Sequence, residues 1–200
     1  PSYIPDHVLS EYHIPSFKAA IDAGAKTIMI NSGIINGIPV HSSYKILTDL
    51  LRNRLGFEGV ILTDWEDINK LHDRDKIVSS KKEAIRLAIN AGIDMSMVPY
   101  EYEEFIDNLM ELVNEGKVTM DRIDEAVSKI LKLKFELDLF ENPSTSPSDY
   151  NDFASEEFQG MAYQSAAEAI TLLKNNDNIL PLERDKKILV VGPNADNMRC

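Results

Sequence analysis

The sequence of 200 residues predicts an α/β fold in which parallel strands are covered by helices. A helix, a glycine and then an apolar strand occur three times in succession, with the glycines at Gly24, Gly56 and Gly92. Their spacing, roughly 30 residues or more, is what one strand-plus-helix crossover unit needs. The strands are apolar along their whole length, which is typical of strands buried on both faces of a sheet. A doubly wound sheet and part of a (β/α)8 barrel both fit this pattern, and periodicity does not distinguish them.

The first unit follows residues 1–15, which contain three prolines and little periodicity and are predicted to be a loop. Ser16 to Ala23 carries its apolar residues on one side and predicts a short helix, which Gly24 ends. Residues 26–31 then predict a buried strand, and a loop containing glycine and proline follows it.

The second unit carries the strongest candidate for chemistry. Apolar residues at helical spacing predict a helix from about Ser43 to Leu55. The next apolar run, Val60 to Thr63, predicts a strand buried on both faces. Asp64 follows it directly. In parallel α/β folds the chemistry collects where strands end at their carboxyl side, and Asp64 stands at that position.

The third unit begins with a helix that Ser80 and Glu83 are expected to start as a capping box and that Gly92 ends. Residues 93–98 predict a third strand. Asp94 lies at the start of this strand, which is the wrong end for catalysis, and is therefore expected to be structural.

Two further helices, Tyr102 to Glu115 and a longer one capped by Thr119, complete the first domain. A change to Asn, Pro, Ser, Thr and Asp marks the boundary after it. The predicted division is a first domain over 1–140, a linker over 141–155 and the start of a second domain over 156–200. In the second domain we expect a helix over 155–173 and a buried strand over 187–193.

Composition excludes several classes of function. The net charge is −12 and the basic residues are dispersed, which argues against a nucleic-acid surface or an anionic membrane face. No apolar run is long enough to span a bilayer, and the N-terminal residues lack the pattern of a signal peptide. The single cysteine, Cys200, excludes an internal disulfide framework. The four histidines have no metal-ligand spacing and no glycine-rich phosphate loop is present, so neither a metal nor a cofactor is predicted.

Asp64 and Trp65 are the candidate site residues. A carboxylate held at a strand end can act as nucleophile or base, and a neighbouring indole offers a flat apolar face to the C–H side of a sugar ring. Spacing alone is equally compatible with Asp64 capping a turn and Trp65 filling a gap in the core. Glu66 and Asp67 are expected to lie on a solvated face or to cap a helix.

Several segments of the chain resemble motifs of the family 3 glycoside hydrolases and occur in the same order as in that family. The most specific is the segment 56–65, Gly-Phe-Glu-Gly-Val-Ile-Leu-Thr-Asp-Trp, because a Ser- or Thr-Asp-Trp segment holds the nucleophile of that family. The other matching segments are residues 28–32 with 36–41, 91–99, 130–134 with 139–140, and 169–175 with 180–182. The resemblance implies that residues 1–140 are the C-terminal portion of a (β/α)8 TIM-type barrel and that residues 156–200 begin an α/β-sandwich domain.

The same resemblance implies roles for individual residues. Asp64 would be the nucleophile, Trp65 would line the subsite around the scissile bond, and Met29 and Met97 would lie on the pocket wall. One departure is visible, because many members of the family carry a tyrosine where this chain has Ser32. How the nucleophile is oriented here is therefore an open question.

The implied function is that of a retaining β-glucosidase or exo-β-glucan glucohydrolase acting on terminal β-D-glucosyl residues. Alternatives are a β-N-acetylhexosaminidase or β-xylosidase of the same family, or a non-catalytic carbohydrate-binding homologue. The expected partner is a β-glucoside or β-glucan oligosaccharide, and the expected location is periplasmic or secreted. The resemblance places the acid/base beyond Cys200 and further sugar-binding residues before Pro1, so the chain alone is expected to be inactive.

Overall fold

Three parallel segments of chain lie side by side at the centre of the first part of the molecule. In the computed structural model, which describes residues 1–196, strand β1 (Thr27–Met29) pairs in parallel with the strand Val60–Leu62. On the other side of Val60–Leu62, Met95 forms a single parallel bridge with Leu62. The strand segments of successive helix–strand units are therefore neighbours in space, as expected for β/α units.

In chain order, the main elements within residues 1–196 are α1 (Ile14–Asp22), β1 (Thr27–Met29), the hairpin strands β2 (Ile34–Ile35) and β3 (Ile38–Pro39), α2 (Lys45–Arg54), β4 (Val60–Leu62), α3 (Asp67–Asp73), α4 (Lys81–Ala91), α5 (Tyr102–Asn114), α6 (Met120–Glu136) and α7 (Glu156–Ala169). Short helical turns lie at Asp6–Val8, Leu9–His13, Val40–Ser42, Pro147–Asp149 and Asn176–Asn178. The chain divides into two units, Pro1–Ser144 and a second that begins at Thr145.

The core of the first unit lies between β4 and the helices α2, α3 and α4. Ile61 and Ile93 are fully buried among the apolar faces of α2, α3 and α4. The buried residues that these helices contribute are Leu47, Leu51, Ile68, Leu71, Ala84, Ile85, Ala88 and Ile89. The predicted stripe of α2 is therefore confirmed, although this helix is of the wider π type.

The helix ends follow their predicted capping residues. Ser80 Oγ accepts a hydrogen bond from the Glu83 N–H at 3.2 Å, and Thr119 Oγ1 accepts one from the Arg122 N–H at 3.2 Å. The reciprocal half of the capping box at α4 was predicted wrongly, because the Glu83 carboxylate forms an ion pair with Arg86 instead. Gly92 ends α4 with a φ of 118°, a conformation that favours glycine.

Several predicted elements differ from the structure. Residues 6–13, predicted as loop, form helical turns that lead into α1. The strand predicted over 26–31 is not buried on both faces, because Thr27 and Met29 are exposed. Within the described residues, β1 pairs with β4 alone. A helix, α3, occupies part of the polar segment for which no element was predicted, and α7 ends before residue 173.

The strand predicted over 93–98 is reduced to the single bridge at Met95. The reason is that side chains take up the backbone groups through which a longer ladder would continue before this bridge. The Ile61 N–H donates to the Asp94 carboxylate at 2.9 Å, and Arg122 donates to the Ile93 carbonyl at 2.6 Å.

The second unit has no buried residue among those described. Helix α7 begins at Glu156, with Ser155 accepting a hydrogen bond from the Phe158 N–H at 3.2 Å. The buried strand predicted over 187–193 is wrong. That segment pairs with no other strand within residues 1–196, and Leu189 and Val191 are 86% and 75% exposed. The α/β-sandwich assignment stays a prediction, and Cys200 lies outside the described residues.

Candidate active site

Asp64 lies at the carboxyl end of β4, and the backbone on both sides of it is held. The Thr63 N–H donates to the Met95 carbonyl at 3.1 Å, while the Thr63 hydroxyl accepts from the Met97 N–H at 2.8 Å. The Glu66 N–H then donates to the Met97 carbonyl at 2.8 Å. Because Thr63 is fully buried, these bonds fix the direction in which Asp64 leaves the sheet.

Both carboxylate oxygens of Asp64 accept hydrogen bonds. The Trp65 N–H donates to Oδ1 at 2.6 Å, and the Ser32 hydroxyl lies 3.0 Å from Oδ2. These bonds, first the one from Trp65 and then the one from Ser32, hold the pKa of Asp64 below its usual value. Asp64 is therefore a charged carboxylate at neutral pH, oriented on both oxygens.

A second carboxylate, Asp67, lies behind Asp64. Its side chain is buried, and its Oδ2 is hydrogen-bonded to the same Ser32 hydroxyl and lies 3.6 Å from His41 Nε2. Lys70 Nζ lies 2.6 Å from the other oxygen, Oδ1. The expectation of a solvated Asp67 is therefore wrong. The turn between β4 and α3, in which Glu66 adopts a left-handed conformation, directs Asp67 inward.

His41 is the most deeply buried histidine near this turn. It belongs to the helical turn Val40–Ser42 that follows the β2–β3 hairpin. Burial lowers the pKa of the His41 imidazole, while the charges of Asp67 and Asp64 oppose that shift. We call Ser32, His41, Asp64 and Asp67 the strand-end cluster.

Trp65 is half-exposed beside Asp64 and does not fill a gap in the core. Its ring makes an edge-to-face contact with Tyr100, with the ring centroids 6.1 Å apart. An indole held in this way presents an apolar surface next to the carboxylate.

The two predicted methionines lie on the neighbouring segments. Met97 is partly buried, and its backbone brackets Asp64 through the bonds to Thr63 and Glu66. Met29 ends β1 opposite Leu62 and is half-exposed. It lines an apolar groove of about 360 Å³ whose walls do not include Asp64, Trp65 or Met97. The predicted substrate contacts of Met29 and Met97 stay predictions.

Asp94 belongs to a different cluster, at the amino end of β4. Its carboxylate is hydrogen-bonded to Arg52 and lies 2.9 Å from Arg122 Nη2. Arg52 also donates to the carbonyls of Phe57 and Gly59, at 2.8 and 2.6 Å. We call Arg52, Asp94 and Arg122 the strand-start cluster; it joins α2, α6 and the sheet, as expected for a structural Asp94.

The sequence analysis placed Ser32 and His41 in segments that resemble the family, noted Ser32 as a departure from the family pattern, and assigned neither residue a role beside Asp64. The available signal was the short spacing of Asp64 and Asp67 around a strand end.

Within residues 1–196 no group of three or more His, Cys, Asp or Glu side chains is placed to hold a metal ion. None of the helices in the same range has the length and apolar character needed to cross a membrane.

An oriented carboxylate at the carboxyl end of a parallel strand, next to an exposed indole, is typical of the catalytic end of an α/β barrel. The family model described as "Glycosyl hydrolase family 3 N terminal domain" matches residues 2–133, and this chain belongs to family 3 of the glycoside hydrolases. The predicted resemblance is thereby confirmed. So is the TIM-type barrel, of which the matched residues form a part.

Relatives with known names agree. The chain is 47% identical over 203 residues to the lysosomal beta glucosidase of Dictyostelium discoideum, covering 99% of this chain and 25% of that protein. It is 34% identical over 194 residues to the periplasmic beta-glucosidase of Salmonella typhimurium, covering 94% and 25%. The crystal structure of a beta-glucosidase from Listeria innocua in complex with glucose matches with a TM-score of 0.72 and 31% identity, covering 90% and 24%. The chain thus spans about a quarter of the length of these proteins.

Proposed function

We propose that the protein containing this chain is a retaining β-glucosidase or exo-β-glucan glucohydrolase that removes terminal β-D-glucosyl residues, with Asp64 as the nucleophile. The observation that carries the proposal is the placement of Asp64. It is ionised, hydrogen-bonded on both oxygens and partly exposed at the carboxyl end of β4. A nucleophile needs this combination of charge, fixed direction and access.

In the proposed reaction two carboxyl groups act about 5–5.5 Å apart on opposite sides of the glycosidic bond. Asp64 attacks the anomeric carbon and forms a covalent glycosyl-enzyme, while the second group protonates the leaving oxygen and later activates water. The family resemblance assigns that second group to a loop of the second domain. Asp67 does not replace it, because its buried side chain lies behind Asp64.

Substrate binding is proposed to use the surface around Asp64. The exposed Trp65 ring, braced by Tyr100, offers the apolar face on which a glucosyl ring can rest. Met29 and Met97 are proposed as further contacts on either side of β4. The names of the relatives, lysosomal and periplasmic, support a location outside the cytoplasm, and we propose a periplasmic or secreted enzyme.

The nucleophile is tested in the full-length protein with an activated 2-fluoro-β-glucoside, which traps the glycosyl-enzyme. The wild-type protein should gain one label on the peptide that contains Asp64. The Asp64→Ala variant should not be labelled, and its activity should fall about 10⁴-fold or more, because no other group can replace the nucleophile. Mass spectrometry of the labelled peptides is the measurement.

The matched control is Glu66→Gln, which removes a carboxylate from the same turn and should keep the label on Asp64. A label on any other residue of the wild-type protein would contradict the assignment. Faster turnover of an aryl β-xyloside than of the corresponding β-glucoside would change the proposed sugar to xylose and leave the role of Asp64 intact.

A further inference from the structure

Two carboxylates compete for one hydrogen-bond donor in the strand-end cluster. The Ser32 hydroxyl lies 3.0 Å from Asp64 Oδ2 and is also within hydrogen-bonding distance of Asp67 Oδ2. A serine hydroxyl carries a single proton, so it donates to one of the two oxygens at a time. The bond that Ser32 makes to Asp64 is therefore made at the expense of Asp67.

The surroundings of Asp67 allow its carboxylate to accept the hydrogen bond from Ser32. Its side chain is 1% exposed, so water does not replace Ser32 as a donor. The charged and titratable groups that face it are Lys70, 2.6 Å from Oδ1, His41, 3.6 Å from Oδ2, and the more distant Arg74. Arg74 also donates to the Ser32 carbonyl at 3.1 Å, which holds the backbone of Ser32 in place.

His41 adds little positive charge to this setting. Burial lowers the pKa of its imidazole, so it is neutral at pH 7. Its Nε2 atom is buried and has no hydrogen-bond partner within the described part of the chain. Asp67 therefore depends on Lys70 and on the Ser32 hydroxyl for its stabilisation.

We propose that the Ser32 hydroxyl changes its acceptor during the reaction, and that Asp67 is the positioning residue that makes this change possible. While Asp64 is a free carboxylate, the hydroxyl alternates between Asp64 and Asp67, since it lies within hydrogen-bonding distance of both. When Asp64 has become an ester, the hydroxyl donates to Asp67. The inference rests on the proposed function, because it requires Asp64 to alternate between carboxylate and ester.

The proton of Ser32 is not transferred in this cycle. In the first step an oxygen of Asp64 forms a bond to the anomeric carbon as the bond to the leaving oxygen breaks, and the second carboxylic acid protonates that oxygen. In the second step water attacks the anomeric carbon and gives its proton to the second carboxylate, and Asp64 departs with the electron pair. Asp64 loses its charge in the first step and regains it in the second, whereas Asp67 keeps its charge throughout.

The consequence is a selective effect on the first step. A hydroxyl that stays on Asp64 makes this carboxylate a weaker nucleophile and a better leaving group. Asp67 withdraws the hydroxyl as the ester forms, so it favours formation of the glycosyl-enzyme over its breakdown. A purely structural Asp67, which only held α3 against the turn at His41, would have no such selectivity.

The test uses Asp67→Asn in the full-length protein, a variant that keeps the size of the side chain and removes its charge. The rate of trapping by the 2-fluoro-β-glucoside should fall about tenfold, which corresponds to one lost charge-assisted hydrogen bond. Reactivation of the trapped enzyme, which reports the second step, should be unchanged or faster. In the pH profile of kcat/KM, the acid limb, along which activity falls as Asp64 is protonated, should move to lower pH by about one unit. The reason is that a like charge near Asp64 is removed.

Ser32 supplies the second arm of the test. Ser32→Ala should move the acid limb in the opposite direction, upward, because a hydrogen bond to the charged form of Asp64 is lost. Ser32→Thr keeps the hydroxyl and should restore the limb. In the Ser32→Ala background, Asp67→Asn should change the trapping rate less than about threefold, because the shared donor is already absent.

Asp73→Asn is the matched control, since Asp73 is a half-exposed carboxylate at the end of the same helix and pairs with His72. Rates are expressed per labelled site, so poorly folded molecules lower the amount of label and not the rate constant. If Asp67→Asn behaves like Asp73→Asn, or slows trapping and reactivation equally, the proposal is wrong. If Asp67→Asn does not fold, an unchanged acid limb in Ser32→Ala has the same meaning.

The two proposals fail in different ways. A wild-type label on a residue other than Asp64 overturns both the proposed nucleophile and the role of Asp67. A label on Asp64 in the wild type and in Asp67→Asn, with the same trapping rate and acid limb in both, overturns the role of Asp67 alone.

Discussion

The first unit holds two buried carboxylates, one at each end of β4, and their surroundings differ. Asp94, at the amino end, faces two guanidinium groups, the more distant Lys129 and the Ile61 N–H. Asp67, at the carboxyl end, faces one lysine, a neutral histidine, a shared hydroxyl and the more distant Arg74. One carboxylate is surrounded by fixed positive charge, while the other has fewer and weaker partners.

This difference separates a structural ion cluster from a responsive one. The strand-start cluster neutralises Asp94 with Arg52 and Arg122, whose guanidinium groups stay protonated at all relevant pH values. The strand-end cluster combines groups whose hydrogen bonds and charges can change, namely a hydroxyl with two acceptors and a histidine with a lowered pKa. Fixed positive charges around Asp94 suit the end of the strand that anchors the helices. Hydrogen bonds and charges that can change around Asp67 suit the end that carries Asp64.

Removing Asp94 should produce the largest loss of stability. Asp94→Ala leaves Arg52 and Arg122 buried without their counter-ion and frees the Ile61 N–H, so we expect a loss of about 3–5 kcal/mol. Hydrogen exchange of the peptide that covers β4, measured in the full-length protein, reports this loss. Asp73→Ala, at an exposed ion pair, should change the same quantity by less than about 0.5 kcal/mol. Equal effects of the two variants would refute the structural role given to Asp94.

A smaller loss is expected for Gly59→Ala, which crowds the strand-start end without touching its charges. A Cβ at residue 59 would lie 2.2 Å from the Lys26 carbonyl oxygen and 2.7 Å from Phe57 Cζ. Because one neighbour is backbone, relief requires β1 and β4 to shift, at a cost of about 1–3 kcal/mol. The midpoint of urea unfolding is the measurement. Gly160→Ala, where nothing lies within 4 Å, serves as the comparison and should be neutral or stabilising.

The smallest effect is a dependence of stability on pH that arises from His41. Its pKa is lowered in the folded state, so below its ordinary value of 6.5 the unfolded chain binds a proton that the folded chain does not. Stability should therefore fall as the pH decreases from 6.5 towards the folded pKa, by at most about 1.4 kcal/mol per pH unit. His41→Gln should remove this slope, as measured by thermal unfolding between pH 7 and 5. His7→Gln, at an exposed position, should leave it in place.

Much of the fold was predictable because it depends on local pattern. The helices α4, α5 and α6 lie close to their predicted ranges, and Ser80, Thr119 and Gly92 cap them as expected. The predictions were wrong where an element depends on its neighbours. An apolar segment becomes a strand only when another strand supplies hydrogen bonds, and residues 187–193 have no such partner in the described structure. In the segment 93–98, Arg122 occupies the Ile93 carbonyl and Asp94 occupies the Ile61 N–H opposite it.

The candidate site was predictable to a similar extent. Asp64 and Trp65 were identified from their position after an apolar strand and from their resemblance to a family motif. The inward direction of Asp67 was not predicted. It depends on a left-handed residue, Glu66, and on the meeting of three separate loops at Ser32, His41 and the end of β4.

The helices α4, α5 and α6, the family and the residue at the carboxyl end of β4 can be read from the amino-acid sequence, because each depends on a contiguous stretch of chain. The burial of Asp94 and Asp67, and the groups that compensate each charge, become visible only in the folded molecule. No local pattern contains them, because the free energy of a buried charge depends on the groups within a few ångströms of it. Those groups come from residues that lie some 26 to 42 positions away along the chain, such as Arg52 and Arg122 for Asp94, and Ser32 and His41 for Asp67.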